Sequence, residues 1–177
     1  MTDETLMYEV TKNNSKCASE LYDRYSKRLY NYFVKISLDR ELSSDLLQNT
    51  FLRMLKYRHT YHVGKPFEAW IFQIARNVFT DHLNKNKMLF DQHSDVYQLN
   101  EADDSEATEI TERERRLKVA LSRLSPESRE ILVLSRYQGL KYEQIGQILN
   151  ITVPNVKVRV HRAIKKLRDH YLEIEKI

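Results

Sequence analysis

What this sequence lacks narrows it quickly. Its 177 residues hold three glycines, three prolines, one tryptophan and one cysteine. So few helix breakers, set among 41% apolar residues and abundant Leu, Lys, Glu and Arg, point to an all-α protein. The lone Cys17 excludes an internal disulfide framework and fits a reducing compartment. No apolar run approaches the ~20 residues needed to cross a bilayer. The N-terminal MTDETLMYEV carries acids and lacks the apolar core of a secretion signal. A soluble cytoplasmic protein is expected. Catalytic equipment is equally scarce. There is no glycine-rich phosphate loop or nucleophile motif, and Cys17 has no nearby base. His59 and His62 are three apart, but neither they nor His82 have the Cys or carboxylate partners that would complete a metal set. No enzyme activity, small-molecule substrate, cofactor or metal is expected.

What the sequence does have is segregated charge. The totals are close, 29 Lys and Arg against 25 Asp and Glu, for a net charge of +4. The second half of Tyr142–Arg168, YEQIGQILNITVPNVKVRVHRAIKKLR, holds six Lys and Arg and no acid. A short helix is predicted from about Tyr142 to Leu149, with Ile145, Ile148 and Leu149 on its apolar face. Gly146 marks a close helix crossing, and Asn150 can take the left-handed conformation that ends the helix. Thr152 caps a second helix, with Pro154 in its first turn. There Val156, Val160, Ala163 and Leu167 recur at helical spacing. Lys157, Arg159, His161, Arg162, Lys165, Lys166 and Arg168 take other positions, and no acid intervenes between Thr152 and Arg168. A helix packed on one side and purely cationic on the other suits a DNA major groove.

Upstream, the periodicity is helical almost throughout. Ser15–Ile36 reads as one or two helices, with Leu21, Tyr25, Leu29, Tyr32, Phe33 and Ile36 inward. The next helix runs from Ser43 or Ser44 to Tyr57, with Leu46, Leu47, Phe51, Leu52, Met54 and Leu55 as core. After a loop from Arg58 to Pro66, helical spacing resumes from Phe67 to about Leu89, and Trp70 falls on the stripe read as buried. From Asp91 to Glu112 the character changes. Asp91, Asp95, Glu101, Asp103, Asp104, Glu106, Glu109 and Glu112 occur with no Lys or Arg, and apolar residues are sparse, so this reads as a flexible acidic linker. A helix starts near Thr111, with Leu117, Ala120, Leu121 and Leu124 inward. Ser125-Pro126 opens another, lined by Ile131, Leu132 and Leu134 or Ser135, and Gly139 ends it. The expected organisation is an N-terminal helical bundle (1–90), a linker (91–111) and a C-terminal four-helix domain with the helix-turn-helix (112–177).

Three stretches carry a family resemblance: Asp45-Leu46-Leu47-Gln48-Asn49-Thr50-Phe51-Leu52, the run from Phe67 to Asn77, and Tyr142 through Leu167. Together, in this order, the chain resembles a bacterial sigma factor of the extracytoplasmic-function group from about Ser19 to Leu172. Two departures stand out. Asn49 replaces a usual acid, and Lys141 replaces a usual Ser or Thr cap, at a cost of about 1 kcal/mol.

The resemblance implies a protein that binds core RNA polymerase, directs it to a class of promoters and helps open the duplex. It implies that Asp45, Leu47, Gln48, Asn49 and Arg53 include the polymerase-binding strip, with Leu47 or Leu52 as an apolar anchor. Tyr61, His62 and Lys65, then Arg76, Asn77, Asn84 and Lys85, would meet the minus-ten DNA, where melted bases are trapped by stacking and edge contacts. At the minus-thirty-five element, Lys157, Val158, His161 and Arg162 would face bases and phosphates. Arg159 and Lys165 would hold phosphates, and the helix start around Thr152 and Asn155 would offer backbone N–H groups to another. Members are often held inactive by an anti-sigma factor, commonly anchored in a membrane.

Two other readings compete. An autonomous helix-turn-helix regulator would need a sensor or dimerisation domain, and residues 19–90 show neither a ligand-binding pattern nor alternating strands and helices. A helical enzyme would need the catalytic motifs that are missing.

Overall fold

The computed structural model describes residues 1–90 and 111–176. These residues are helical and divide into two compact units, within Met1–Asn100 and within Glu101–Ile177. The acidic stretch read as a linker, 91–111, lies outside the described residues except for Thr111.

The N-terminal unit contains α1 (Asp3–Thr11), α2 (Ser15–Ser37), α3 (Arg40–Lys56) and α4 (Phe67–Phe90), with a short 3-10 turn at Arg58–Thr60. Local chemistry sets the boundaries. Thr2, Asn14 and Asp39 each accept a backbone N–H in the first turn of the helix that follows. Leu38, at φ 59°, ends α2 in the left-handed conformation. Helices α2, α3 and α4 pack around Leu21, Leu29, Tyr32, Phe33, Leu46, Met54, Ile71 and Phe72.

Three features depart from the sequence reading. The first is α1, a helix that the sequence pattern does not announce, although Leu6, Met7 and Val10 are buried from it into the core. The second concerns α3, which starts at Arg40 because Asp39, not a serine, is the cap; its Leu52 and Leu55 are exposed, at 64% and 39%. The third is Trp70, which is half-buried, its ring 5.2 Å from Tyr61 in an edge-on contact at the margin of the core.

The C-terminal unit contains α5 (Glu112–Ser122), α6 (Pro126–Leu132), a π-helical turn (Val133–Tyr137), α7 (Tyr142–Leu149) and α8 (Val153–Glu175). Thr111 and Glu114 form a reciprocal capping box on α5. Ser125 caps α6 at the Ser128 N–H, with Pro126 in its first turn. The π turn keeps Val133 and Leu134 fully buried, a deeper use of Val133 than simple helical spacing suggests. Helix α8 is the spine of the unit, with α5, α6 and α7 all packed against it through Val156, Val160 and Ala163.

Candidate nucleic-acid and polymerase interfaces

The tight turn between α7 and α8 is built from three residues. Asn150 sits at φ 54° and closes α7 in the left-handed region. The Ile151 N–H donates to the Gly146 carbonyl (3.0 Å). A Cβ on Gly146 would lie 2.7 Å from the Ile151 carbonyl oxygen, so only glycine fits. Lys141, standing where a capping hydroxyl is usual, is partly compensated: its own N–H donates to the Gln144 side chain (3.0 Å).

This turn presents α8 with its cationic side outward. Lys157, Val158, Arg159, His161, Arg162 and Lys165 are all exposed. Arg159 Nε donates to the Asn155 side-chain oxygen (3.0 Å), which steadies that guanidinium one turn along the helix. Thr152 and Asn155 are also exposed, but their groups are partly committed, because the Asn155 N–H donates to the Thr152 hydroxyl (3.4 Å). A shallow cleft of about 210 Å³ between α6 and α8 is lined by Glu127, Ser128, Ile131, Arg159, Arg162 and Lys166. The sequence pattern does not single out Glu127 or Ser128, since only the packing of α6 on α8 brings them beside the cations.

In the N-terminal unit, Asp45, Gln48 and Asn49 are exposed on α3 at three- and four-residue spacing, so they share a strip. Two assignments to this strip change. Leu47 is only 9% exposed and belongs to the core, whereas Leu52 is exposed and lies seven residues beyond Asp45 on the same side. Of the two leucines offered as an anchor, Leu52 is the accessible one. Arg53 is half-buried at the strip's edge and pairs with Asp81 of α4 (2.6 Å).

The loop before α4 is organised by a turn in which Lys65 N–H donates to the His62 carbonyl (3.1 Å), with Gly64 at φ 92°. His62 and Lys65 are exposed. The Thr60 carbonyl takes the His62 Nδ1–H (2.9 Å), so a neutral imidazole keeps Nε2 as an acceptor. Tyr61 is not a surface group. It is 6% exposed, stacks edge-on against Phe67 and Trp70, and donates its hydroxyl to the Lys65 carbonyl. Burial pushes its phenol up to about 12, with Glu4 and Asp3 adding to the effect. The spacing misleads because an aromatic in a polar loop resembles a stacking group, while here it is the loop's own core. Val63, 67% exposed at the tip beside Gly64, is the loop's prominent apolar side chain, and no sequence signal marks it. On α4, Asn77 and Asn84 are exposed and seven apart, so they align, with Lys85 exposed farther round the helix. Arg76 is half-buried.

Comparison with known proteins identifies the family of each unit. Residues 21–88 match the family model of Sigma-70 region 2, and residues 114–167 match that of Sigma-70, region 4. The RNA polymerase sigma factor CarQ of Myxococcus xanthus is 31% identical, over 88% of this chain and 90% of its own length. The extracytoplasmic-function RNA polymerase sigma factor SigM of Bacillus subtilis is 32% identical, over 86% of this chain and 93% of its own. Among solved structures, CnrH in complex with the cytosolic domain of CnrY superposes with a TM-score of 0.72 at 21% identity, covering 94% of this chain and 95% of that one. The sigma factor RpoE of Bartonella quintana, solved with the anti-sigma factor NepR, gives 0.73 at 22% identity, covering 86% and 94%. At these identities the two structures speak to the fold.

Proposed function

Because the chain belongs to the extracytoplasmic-function sigma factors of the sigma-70 family, we propose a division of labour between its two helical units. The protein directs promoter-specific transcription initiation through binding to RNA polymerase, and sigma factors are not themselves enzymes. Asp45, Gln48 and Asn49, with Leu52 as apolar anchor, form the polymerase-docking strip. His62, Val63 and Lys65 of the loop, with Asn77, Asn84 and Lys85 of α4, meet the opened minus-ten strand. The outward side of α8 enters the major groove at the minus-thirty-five element. Lys157, Val158, His161 and Arg162 are aimed at bases and phosphates there, and Arg159 and Lys165 hold the backbone. Phosphate contacts set the register and the base-edge contacts supply the sequence preference.

The observation that carries this reading is the turn at Gly146, Asn150 and Ile151, which fixes α8 so that its cations face outward together. No helix among the described residues is long and apolar enough to cross a membrane. The protein would work in the cytoplasm, beside polymerase and chromosome. The partners of its structural relatives, CnrY and NepR, point to an anti-sigma factor as its regulator.

Transcription from a cognate promoter with purified core polymerase tests the reading. A sigma factor yields promoter-specific transcript with core alone. A protein that only modulates a complete holoenzyme yields none, and that result would sink the proposal.

A further inference from the structure

Helix α1 precedes the region matched to the family model, which begins at residue 21, yet it is tied to both ends of the loop that carries His62 and Lys65. At the far end, α4 begins at Phe67 directly after Pro66, which has no side-chain oxygen with which to cap it. The missing acceptor comes from α1: the Phe67 N–H donates to Glu4 Oε1 (3.2 Å). The positive end of the α4 dipole then also meets a carboxylate. At the near end, Arg58 Nη2 donates to the Asn13 side-chain oxygen (2.7 Å), while its Nη1 donates to the Leu55 carbonyl (2.7 Å). Asn13, at φ 69°, holds the left-handed link between α1 and α2. The helix between these two contacts is anchored by Leu6 and Met7, both fully buried. It is further held by Asp3, which accepts from the Tyr25 hydroxyl (2.6 Å) and from Arg24 Nη1 (2.7 Å).

We infer that α1 is a brace for the minus-ten loop, and that Glu4 and Asn13 are positioning residues that hold its two ends at the separation needed to receive an unpaired strand. The inference rests on the reading of the loop given above. Residues 57–66 hold little regular structure beyond one 3-10 turn, and their internal core is the single ring of Tyr61. A loop of this kind moves easily unless its ends are fixed, and misplacing side chains that must catch a flipped base weakens capture sharply. Neither Glu4 nor Asn13 would touch DNA in this arrangement. Their effect would pass through the Phe67 amide and the Arg58 guanidinium.

The test uses the full chain assembled with core polymerase on a promoter carrying 2-aminopurine in the minus-ten element. Glu4→Ala removes the acceptor at Phe67. Asn13→Gly removes the acceptor at Arg58 while tolerating the positive φ. Glu4→Gln and Asn13→Asp keep an acceptor oxygen and serve as rescue variants. The Glu4→Ala/Asn13→Gly double variant should slow promoter opening about tenfold and blur base preference within the minus-ten element. Affinity for core polymerase and for minus-thirty-five duplex should stay within about twofold. The rescue variants should return opening to near the original rate. A merely structural role for α1 would lower stability without moving minus-ten preference apart from minus-thirty-five affinity. His62→Ala with Lys65→Ala is measured alongside. If that pair slows opening but the Glu4/Asn13 double variant does not, the brace is overturned and the loop reading stands. If the His62/Lys65 pair has no effect, the loop reading fails and the brace with it.

Discussion

A side chain on Gly146 would collide with backbone, because its Cβ would lie 2.7 Å from the Ile151 carbonyl oxygen. The Ile151 N–H is meanwhile bonded to the Gly146 carbonyl, so the turn cannot open at that point without losing a hydrogen bond. Gly146→Ala should therefore cost about 1–3 kcal/mol, the usual range for forced overpacking. It should also weaken minus-thirty-five binding, since α8 must tilt to make room. Denaturant unfolding and duplex binding measured side by side check this. An alanine variant of unchanged stability would show that the crossing yields more readily than so close an approach implies.

Arg162 and Lys165 are both exposed cations on α8, but they should fail differently when removed. Arg162→Ala should cost about 1–3 kcal/mol of discrimination at one base pair if its fork spans a guanine edge. Lys165→Ala should weaken all sequences about equally and lower the salt slope by about one counterion. Binding selection from randomised minus-thirty-five sequences separates the two. An unaltered preference with Arg162→Ala would move the base-reading face round the helix, towards Lys157 and His161.

The ease of reading the C-terminal unit and the errors in the N-terminal one have the same physical origin. Asn150, Thr152, Pro154 and the spacing of Val156, Val160 and Ala163 are local signals, and a helix-turn-helix is decided within about two turns of each of them. Residues placed by contacts distant in sequence are the ones that mislead. Tyr61 lies inside because Phe67 and Trp70 close over it. In α1 the apolar periodicity is faint among the acids, and only packing on α2 and α4 reveals why Leu6, Met7 and Val10 lie in line. Leu47 and Leu52 both fit an apolar pattern, and which of them stays exposed depends on where α2 and α4 sit.

That last pair gives a direct experiment. Leu47→Ala should cost about 2–5 kcal/mol of stability, as for a core leucine. Leu52→Ala should change stability by no more than about 0.5 kcal/mol, as expected at the surface. Affinity for core polymerase should show the reverse order once folding is controlled for, falling for Leu52→Ala and for Asp45→Arg with Gln48→Ala. Retained polymerase binding in both surface variants would return the strip to ordinary solvated helix.

Alkaline pH should loosen the N-terminal unit through Tyr61. Its buried phenol is pushed up to about 12, above the ~10 of an exposed tyrosine, so the fold favours the neutral form. Stability from this group is complete below about pH 10 and is lost as pH rises from there through the folded value. Burial and the hydrogen bond to Asp3 raise Tyr25 in the same direction, so the two add. Tyr61→Phe removes both the titration and the hydrogen bond to the Lys65 carbonyl. At pH 9 the variant should be less stable by about 0.5–1.5 kcal/mol, the net worth of one such bond. Between pH 10 and about 12 its thermal midpoint should then fall less steeply than that of the unaltered protein, with Tyr25 supplying the remaining slope. Midpoints measured at intervals across that range decide the matter. Two parallel curves would mean that the Tyr61 phenol does not resist ionisation in the fold, and would remove it from the loop's core.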